Sequence, residues 1–334
     1  MTNTIQNSIT SNEFSGTLLV TSEEIIVLQE SYGYANRSEK IQNHTETRFG
    51  IASGCKIFTA VSILQLVEAG KLSVESKLMD LLDHTFPHFA QDITIHHLLT
   101  HTSGVPDYFN EDVMDDFEEL WIQNPMYHMR KLEDFIPLFE NEKMLSTPGE
   151  KFHYNNTGYI LLGLVVEKLA DMSFADYVQK HVFQLAGMEN SGYFELDQLP
   201  SSTALGYIDF PDGKWKSNIY SVPVKGGADG GAFVTAGDMD SFWSALMANE
   251  LLSKAWTDRL LTPHAWEDEE TAYGYGVWID SDSIGEKKYH VMDYDPGVSF
   301  HSGYYPCQEL TITVCSNKSQ GAYPVLEILE EAFL

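Results

Sequence analysis

Hydrophobic positions along the chain change period from one region to the next. Residues 16–20 and 25–28 alternate and are rich in β-branched side chains, with a short polar break between them, which predicts an N-terminal hairpin. Similar patterns return near the other end at 275–279, 288–292, 298–305 and 310–314, predicting further strands. Val325, Leu326, Ile328, Leu329 and Phe333 then recur at helical spacing and outline a terminal amphipathic helix. The middle of the chain carries mostly helical signals. Ile57, Phe58, Ala60, Val61, Leu64 and Val67 make the stretch from 53 to about 69 apolar nearly all round, as a buried helix requires, and Gly70 marks its stop. A second run, 158–166, follows Pro148-Gly149 and is too apolar for a surface helix. Ser173-Phe174-Ala175-Asp176 resembles a capping box and opens a helix that stops at Gly187. These elements predict an α+β fold, with an antiparallel sheet built from both chain ends, helices flanking it and a mostly helical insertion. No repeat, low-complexity tract or linker divides the chain. We therefore read residues 1–334 as one two-lobed domain, with an α/β lobe from 1–57 and 270–334 and a helical lobe from 58–269.

Composition narrows the class. A chain of 334 residues with 43% hydrophobic content buries a large core. Its 49 acidic and 20 basic side chains give a formal charge of −29, which argues against nucleic acid and anionic membrane as partners. Runs such as Glu111-Asp112, Asp115-Asp116 and Glu267-Asp268-Glu269-Glu270 read as solvated faces. The start, Met1-Thr2-Asn3-Thr4-Ile5-Gln6, has no basic cap and no apolar core of a signal peptide, and no apolar stretch approaches the ~20 residues of a membrane helix. Cys55, Cys307 and Cys315 are an odd set without metal spacing and suit a reducing compartment. A cytoplasmic location without membrane insertion is expected, or an extracytoplasmic one if the chain was trimmed.

Candidate chemistry lies at the start of the first apolar helix. In Ser53-Gly54-Cys55-Lys56 the serine and lysine are three apart, so on a helix they share a face and Lys56 reaches the Ser53 hydroxyl. A serine needs such a neighbour to take its proton. Burial and the helix N-terminus disfavour the ammonium, and the free N–H of Ser53 is one half of an oxyanion hole. Alone the spacing says little, because a capping serine followed by a surface lysine produces it. Tyr154-Asn155-Asn156, at the mouth of the second apolar helix, supplies a further proton-handling group and an amide. Cys55, two residues from Ser53, points nearly the other way and reads as a buried inert thiol.

These motifs resemble the serine β-lactamase and penicillin-binding-protein superfamily, in its class C β-lactamase-like branch of carboxypeptidases, esterases and D-aminopeptidases. The resemblance runs over nearly the whole chain, through Phe49-Gly50-Ile51-Ala52-Ser53, Leu98-Leu99-Thr100-His101-Thr102-Ser103-Gly104, Tyr273-Gly274-Tyr275-Gly276 and Asp295-Pro296-Gly297-Val298. It implies the β-lactamase/transpeptidase-like fold, Ser53 as acylated nucleophile, Lys56 as its base, Tyr154 as second acid/base group and Asn156 as ligand to a substrate amide. The family's third motif, Lys-Thr-Gly or His-x-Gly, is missing from its place. His301-Ser302-Gly303 looks like it, but counting back from Asn317 and Pro306 puts the position at Val291-Met292-Asp293. The substrate-binding set is then Asn156, Val291, Met292, Asp293 and Tyr294, with the Tyr294 N–H as second oxyanion donor. Asp293 repels a terminal carboxylate and attracts an amine, or is simply a turn aspartate.

His97 and His101 have a zinc-compatible spacing without the glutamate or third ligand of a zinc site, so they read as a structural turn. Gly226, Gly227, Gly230 and Gly231 lack the ending of a phosphate loop and read as a tight crossing near the site, before a helix capped at Thr235. The expected protein is a serine hydrolase forming an acyl-enzyme on Ser53, with ester or amide substrates carried by a small molecule or short peptide, and with no cofactor and no metal. The alternative is a weakened penicillin-binding or sensory protein that acylates slowly or only binds its ligand.

Overall fold

Strands from the two chain ends interleave. The structure, a computed structural model, describes residues 6, 8–10, 12–23, 25–110, 114, 118–281 and 287–334; the acidic pairs at 111–112 and 115–116 and the first five residues lie outside the described residues. The large sheet contains β1 (Gly16–Ser22), β2 (Ile25–Tyr32), β3 (Ala265–Trp266), β4 (Thr271–Tyr273), β5 (Trp278–Ser281), β6 (Lys287–Asp295), β7 (Val298–Tyr305) and β8 (Leu310–Ser316). Their order in space is β2-β1-β8-β7-β6-β5-β4-β3, antiparallel throughout. The fold is the mixed α+β, β-lactamase/transpeptidase-like architecture expected.

Alternation decides which side of the sheet each residue serves. Leu19, Val291, Phe300 and Cys315 face the larger core, which they share with the helices. Leu18, Val20, Ile312 and Val314 face a smaller core with Val325 and Leu329. A register slip of one residue would exchange the two sets, and each fully buried Leu or Ile holds the register with about 1.5–3 kcal/mol.

Four helices matter for the site: α1 (Lys56–Glu68), α2 (Asn156–Ala170), α3 (Ala236–Met247) and α4 (Ala322–Phe333). The first two pack on each other inside the larger core. On α3, Trp243 Nε1 donates to Ser302 Oγ of β7 at 2.9 Å. On α4, Glu330 Oε1 accepts from Lys288 Nζ of β6 at 2.9 Å, so the last helix covers the opposite face. Thr235 caps α3 by accepting from Asp238 N, as expected. Ser173 caps the next helical stretch after α2, which ends at Gly187 in the left-handed conformation. Among the described residues no helix is long and apolar enough to cross a membrane.

Three elements differ from the sequence reading. The first helix begins at Lys56, preceded by a 3-10 turn over Ala52–Cys55 that carries Ser53. The strand expected at 275–279 starts at Trp278, because Gly274 to Val277 form the turn between β4 and β5. Gly276 has φ +72° there, and a Cβ on it would meet the Lys56 carbonyl oxygen at 2.8 Å, so the chain turns where it passes the start of α1. Within the stretch assigned to a helical lobe, β3 joins the sheet edge and α3 packs against β1 and β8.

Candidate active site

Ser53 sits on a bend that its neighbours hold open. Ala52 has φ +46°, a left-handed conformation that costs a non-glycine residue about 1–3 kcal/mol and persists only where the surroundings fix it. Here Ile51 N donates to Ala232 O at 3.0 Å and Gly231 N donates to Ala52 O at 3.1 Å. The glycine-rich crossing expected near the site provides these contacts. It needs its glycines, since a Cβ on Gly226 would lie 2.3 Å from the Gly231 oxygen. On the other side, Phe300 packs so close to Gly54 that a Cβ there would stand 2.5 Å from its ring.

Lys56 is 1% exposed and donates three hydrogen bonds: to Ser53 Oγ at 2.5 Å, Asn156 Oδ1 at 2.7 Å and Asp229 O at 2.7 Å. Three acceptors match the three donors of an ammonium. With one proton removed, the amine keeps two of these bonds and turns its lone pair toward the Ser53 hydroxyl. The Tyr154 ring centroid lies 4.7 Å from Lys56 Nζ. Tyr154 also stacks nearly parallel on Trp278, 5.9 Å between centroids, and packs at 4.4 Å on His101. Ser53, Lys56, Tyr154 and Asn156 are therefore brought together as the spacing of the two motifs anticipated.

The histidine turn read from the sequence, with the loop that follows it, holds the second motif. His101 is buried, has φ +57°, and its Nδ1 accepts from Asn155 N at 3.0 Å. Asn155 caps α2 through Gly158 N at 2.7 Å and donates to Val105 O at 2.8 Å. Asp107 accepts from the amides of Asn156 at 3.1 Å and Thr157 at 3.2 Å. Burial pushes its carboxyl up to about 7, outweighing those amide bonds. Asp229, whose side chain takes a hydrogen bond from the Tyr108 hydroxyl, is also raised by burial, with the Lys56 charge pulling the other way. His97 donates its backbone N–H to Thr94 Oγ1 and accepts from Thr94 N, closing a helix-capping box. The two histidines thus serve the backbone. Among the described residues no group of three or more His, Cys, Asp or Glu is arranged to hold a metal ion. The Cys55 thiol is buried and pushed up to about 11 by that burial, an inert neighbour of the serine.

The strand beside the Ser53 turn is β6, with the third-motif positions on it. Val291 and Asp293 face Ser302 and Phe300 across β7, on the side of the Ser53 turn. Asp293 Oδ2 accepts from Ser53 N at 2.8 Å. Val291 is 3% exposed inside the larger core, so it forms part of the floor beneath the site and has no surface for the substrate contact expected of it. Met292 and Tyr294 are accessible at the strand edge. His301 lies one strand further in, opposite Met292, its ring buried against His290 with centroids 5.1 Å apart.

Two clefts border the site, one at Ser53 and one at Tyr154 and Asp293. One of about 90 Å³ is lined by Ser53 and Asn156 together with Phe109, Trp121, Phe135 and Leu196. The other, about 430 Å³, is lined by Tyr154, Trp278 and Met292 with the carboxylates Asp107, Glu267, Asp280 and Asp293. Asp229, Asp107 and Trp278 escaped the sequence reading because none belongs to a short motif.

Known proteins share this arrangement of chain. Penicillin-binding protein 4* of Bacillus subtilis (strain 168) is 31% identical over 341 residues, covering 96% of this chain and 72% of that protein. The crystal structure of a penicillin binding protein from Bacillus halodurans superposes with a TM-score of 0.95 at 55% identity, covering 98% of this chain and all of that one. The D-amino acid amidase of Ochrobactrum anthropi SV3, solved with D-phenylalanine, shares the fold at 19% identity, with a TM-score of 0.79 and 99% of each chain covered. Residues 2–331 match the family model described as Beta-lactamase, and the chain accordingly belongs to the β-lactamase family, within the superfamily of serine β-lactamases and penicillin-binding proteins.

Proposed function

We propose that this protein is a serine hydrolase that acylates Ser53 and releases the acyl group to water. The observation that carries the reading is the 2.5 Å contact between Lys56 Nζ and Ser53 Oγ inside a buried site. Ser53 Oγ attacks the substrate carbonyl carbon and its proton passes to Lys56. As the tetrahedral intermediate collapses, the C–O or C–N bond breaks and the leaving group takes a proton from the Tyr154 hydroxyl, which Lys56 reprotonates. Water repeats the sequence to free the acid. The N–H groups of Ser53 and Tyr294 are the oxyanion donors.

Ester or amide substrates fit this site better than peptides ending in a carboxylate. Position 291 supplies no cation, and Asp293 adds a negative charge at the strand edge. The apolar cleft suits an acyl group of modest size. A second reading, a penicillin-binding or sensory protein that acylates slowly, draws on the Asp293 contact to the Ser53 amide.

Intact-mass spectrometry after exposure to a fluorophosphonate, a penicillin and a small ester separates the two. The hydrolase reading expects stoichiometric fluorophosphonate labelling, turnover of the ester and neither in Ser53→Ala. Labelling without turnover of any ester or amide would favour the binding protein.

A further inference from the structure

The Ser53 amide, the donor that an acyl oxyanion needs, already has an anion on it. Asp293 Oδ2 accepts from it at 2.8 Å. An N–H directed at one carboxylate oxygen has little left for a second acceptor. An oxyanion drawn to the same donor would also stand at hydrogen-bond range from a like charge. The strand register makes this contact specific. Asp293 pairs with Phe300, and Phe300 packs on Gly54, the residue after the nucleophile. Any side chain at 293 therefore points at the Ser53 turn, and only one with an acceptor closes it.

Asp293 also borders the larger cleft, where Tyr154, the proton donor to the leaving group, forms one wall. The leaving group thus departs past the further acidic side chains of that cleft, Glu267 and Asp280, which favour a cation. A cation there offers Asp293 a stronger partner than a backbone amide.

We propose that Asp293 is a specificity-determining gate. At rest its carboxylate occupies the oxyanion hole, and it leaves the Ser53 amide when a positively charged leaving group enters the neighbouring cleft. The preferred substrates are then esters or amides whose leaving group carries an ammonium. This inference rests on Ser53 being the nucleophile.

The test compares two isosteric esters, acetylcholine and 3,3-dimethylbutyl acetate, with wild type, Asp293→Ala and Asp293→Asn. Loss of one oxyanion donor typically costs 10²–10³-fold in kcat. Opening the hole in Asp293→Ala should therefore raise kcat/KM for the neutral ester about 10-fold or more while the charged ester gains nothing. The ratio of charged to neutral turnover should fall by at least the same factor, and Asp293→Asn should lose the charge preference too. A ratio unchanged in both variants overturns the gate. Phenylboronic acid, which is trigonal and neutral when free and forms a tetrahedral anionic adduct with a serine oxygen, gives a readout without turnover: Asp293→Ala should bind it about 10-fold tighter than wild type, and equal affinity overturns the gate as well. Ester hydrolysis that persists in Ser53→Ala would instead overturn the acyl-enzyme reading, an outcome distinct from either of these.

Discussion

Asn156 Oδ1 accepts a hydrogen bond from Lys56 Nζ at 2.7 Å while Asn156 Nδ2 donates to the Phe109 carbonyl at 3.1 Å. The side chain expected to grip a substrate amide is committed at both ends to the protein. Its first task is to aim the lysine.

Asn156→Leu should therefore act mainly on kcat. Removing the acceptor leaves one Lys56 donor buried without its partner, at about 1–3 kcal/mol of stability. A lysine free to turn from Ser53 should lower kcat about 10-fold or more with KM within twofold. Steady-state kinetics with a small ester and urea unfolding check both parts. A KM that rises while kcat holds would return Asn156 to the role of substrate ligand.

Asp107 gives the stability a pH dependence of defined sign. Its folded carboxyl titrates at about 7 against 3.8 in an unfolded chain. Between those values the native state holds more protons than the unfolded one, so this group's contribution is full below about 4 and is lost as pH rises through 7. Asp107→Asn should flatten the corresponding decline in urea midpoint between pH 4 and 7. A decline of the same slope in the variant would remove Asp107 from the account.

Gly276→Ala should damage the site from behind. The residue has φ +72°, and the new methyl would sit 2.8 Å from the Lys56 carbonyl and 2.9 Å from the Ala60 side chain. Strain of about 1–3 kcal/mol is expected, with kcat falling as the first turn of α1 shifts under Lys56. Thermal melts and ester kinetics measure the two together. A variant as stable and as active as wild type would show that the turn has room to give.

How far the sequence carried differs by element. The outer architecture was legible, because alternation in the terminal strands and the all-round apolarity of the first two long helices are one-dimensional signals. So was the meeting of Ser53, Lys56, Tyr154 and Asn156, whose types and spacings form short motifs. The 3-10 turn under Ser53 was not, since the left-handed Ala52 is imposed by hydrogen bonds to Gly231 and Ala232, some 180 positions away. The turn at Gly274 to Val277 was hidden inside an apolar stretch that has the period of a strand. Asp107, Asp229 and Trp278 converge on the site from three separate segments, and Val291 is buried although Asp293, on the same side of β6, borders a cleft. Position on a covered or open face is a property of the assembled sheet.

Ser15 Oγ donates to Asn317 Oδ1 at 2.8 Å across a sequence separation of 302 residues, and β1 lies between β2 and β8. This closure orders events during synthesis. Ser53 leaves the ribosome early, yet Gly231, Phe300 and the partner strand of β1 emerge long afterwards. Until they do, the first hairpin has an unpaired edge and Ser53 has no pocket. Loops of this length make folding slow and leave partly made chains exposed to association. The Ser53 site thus comes into being only once β7 and β8 have been added.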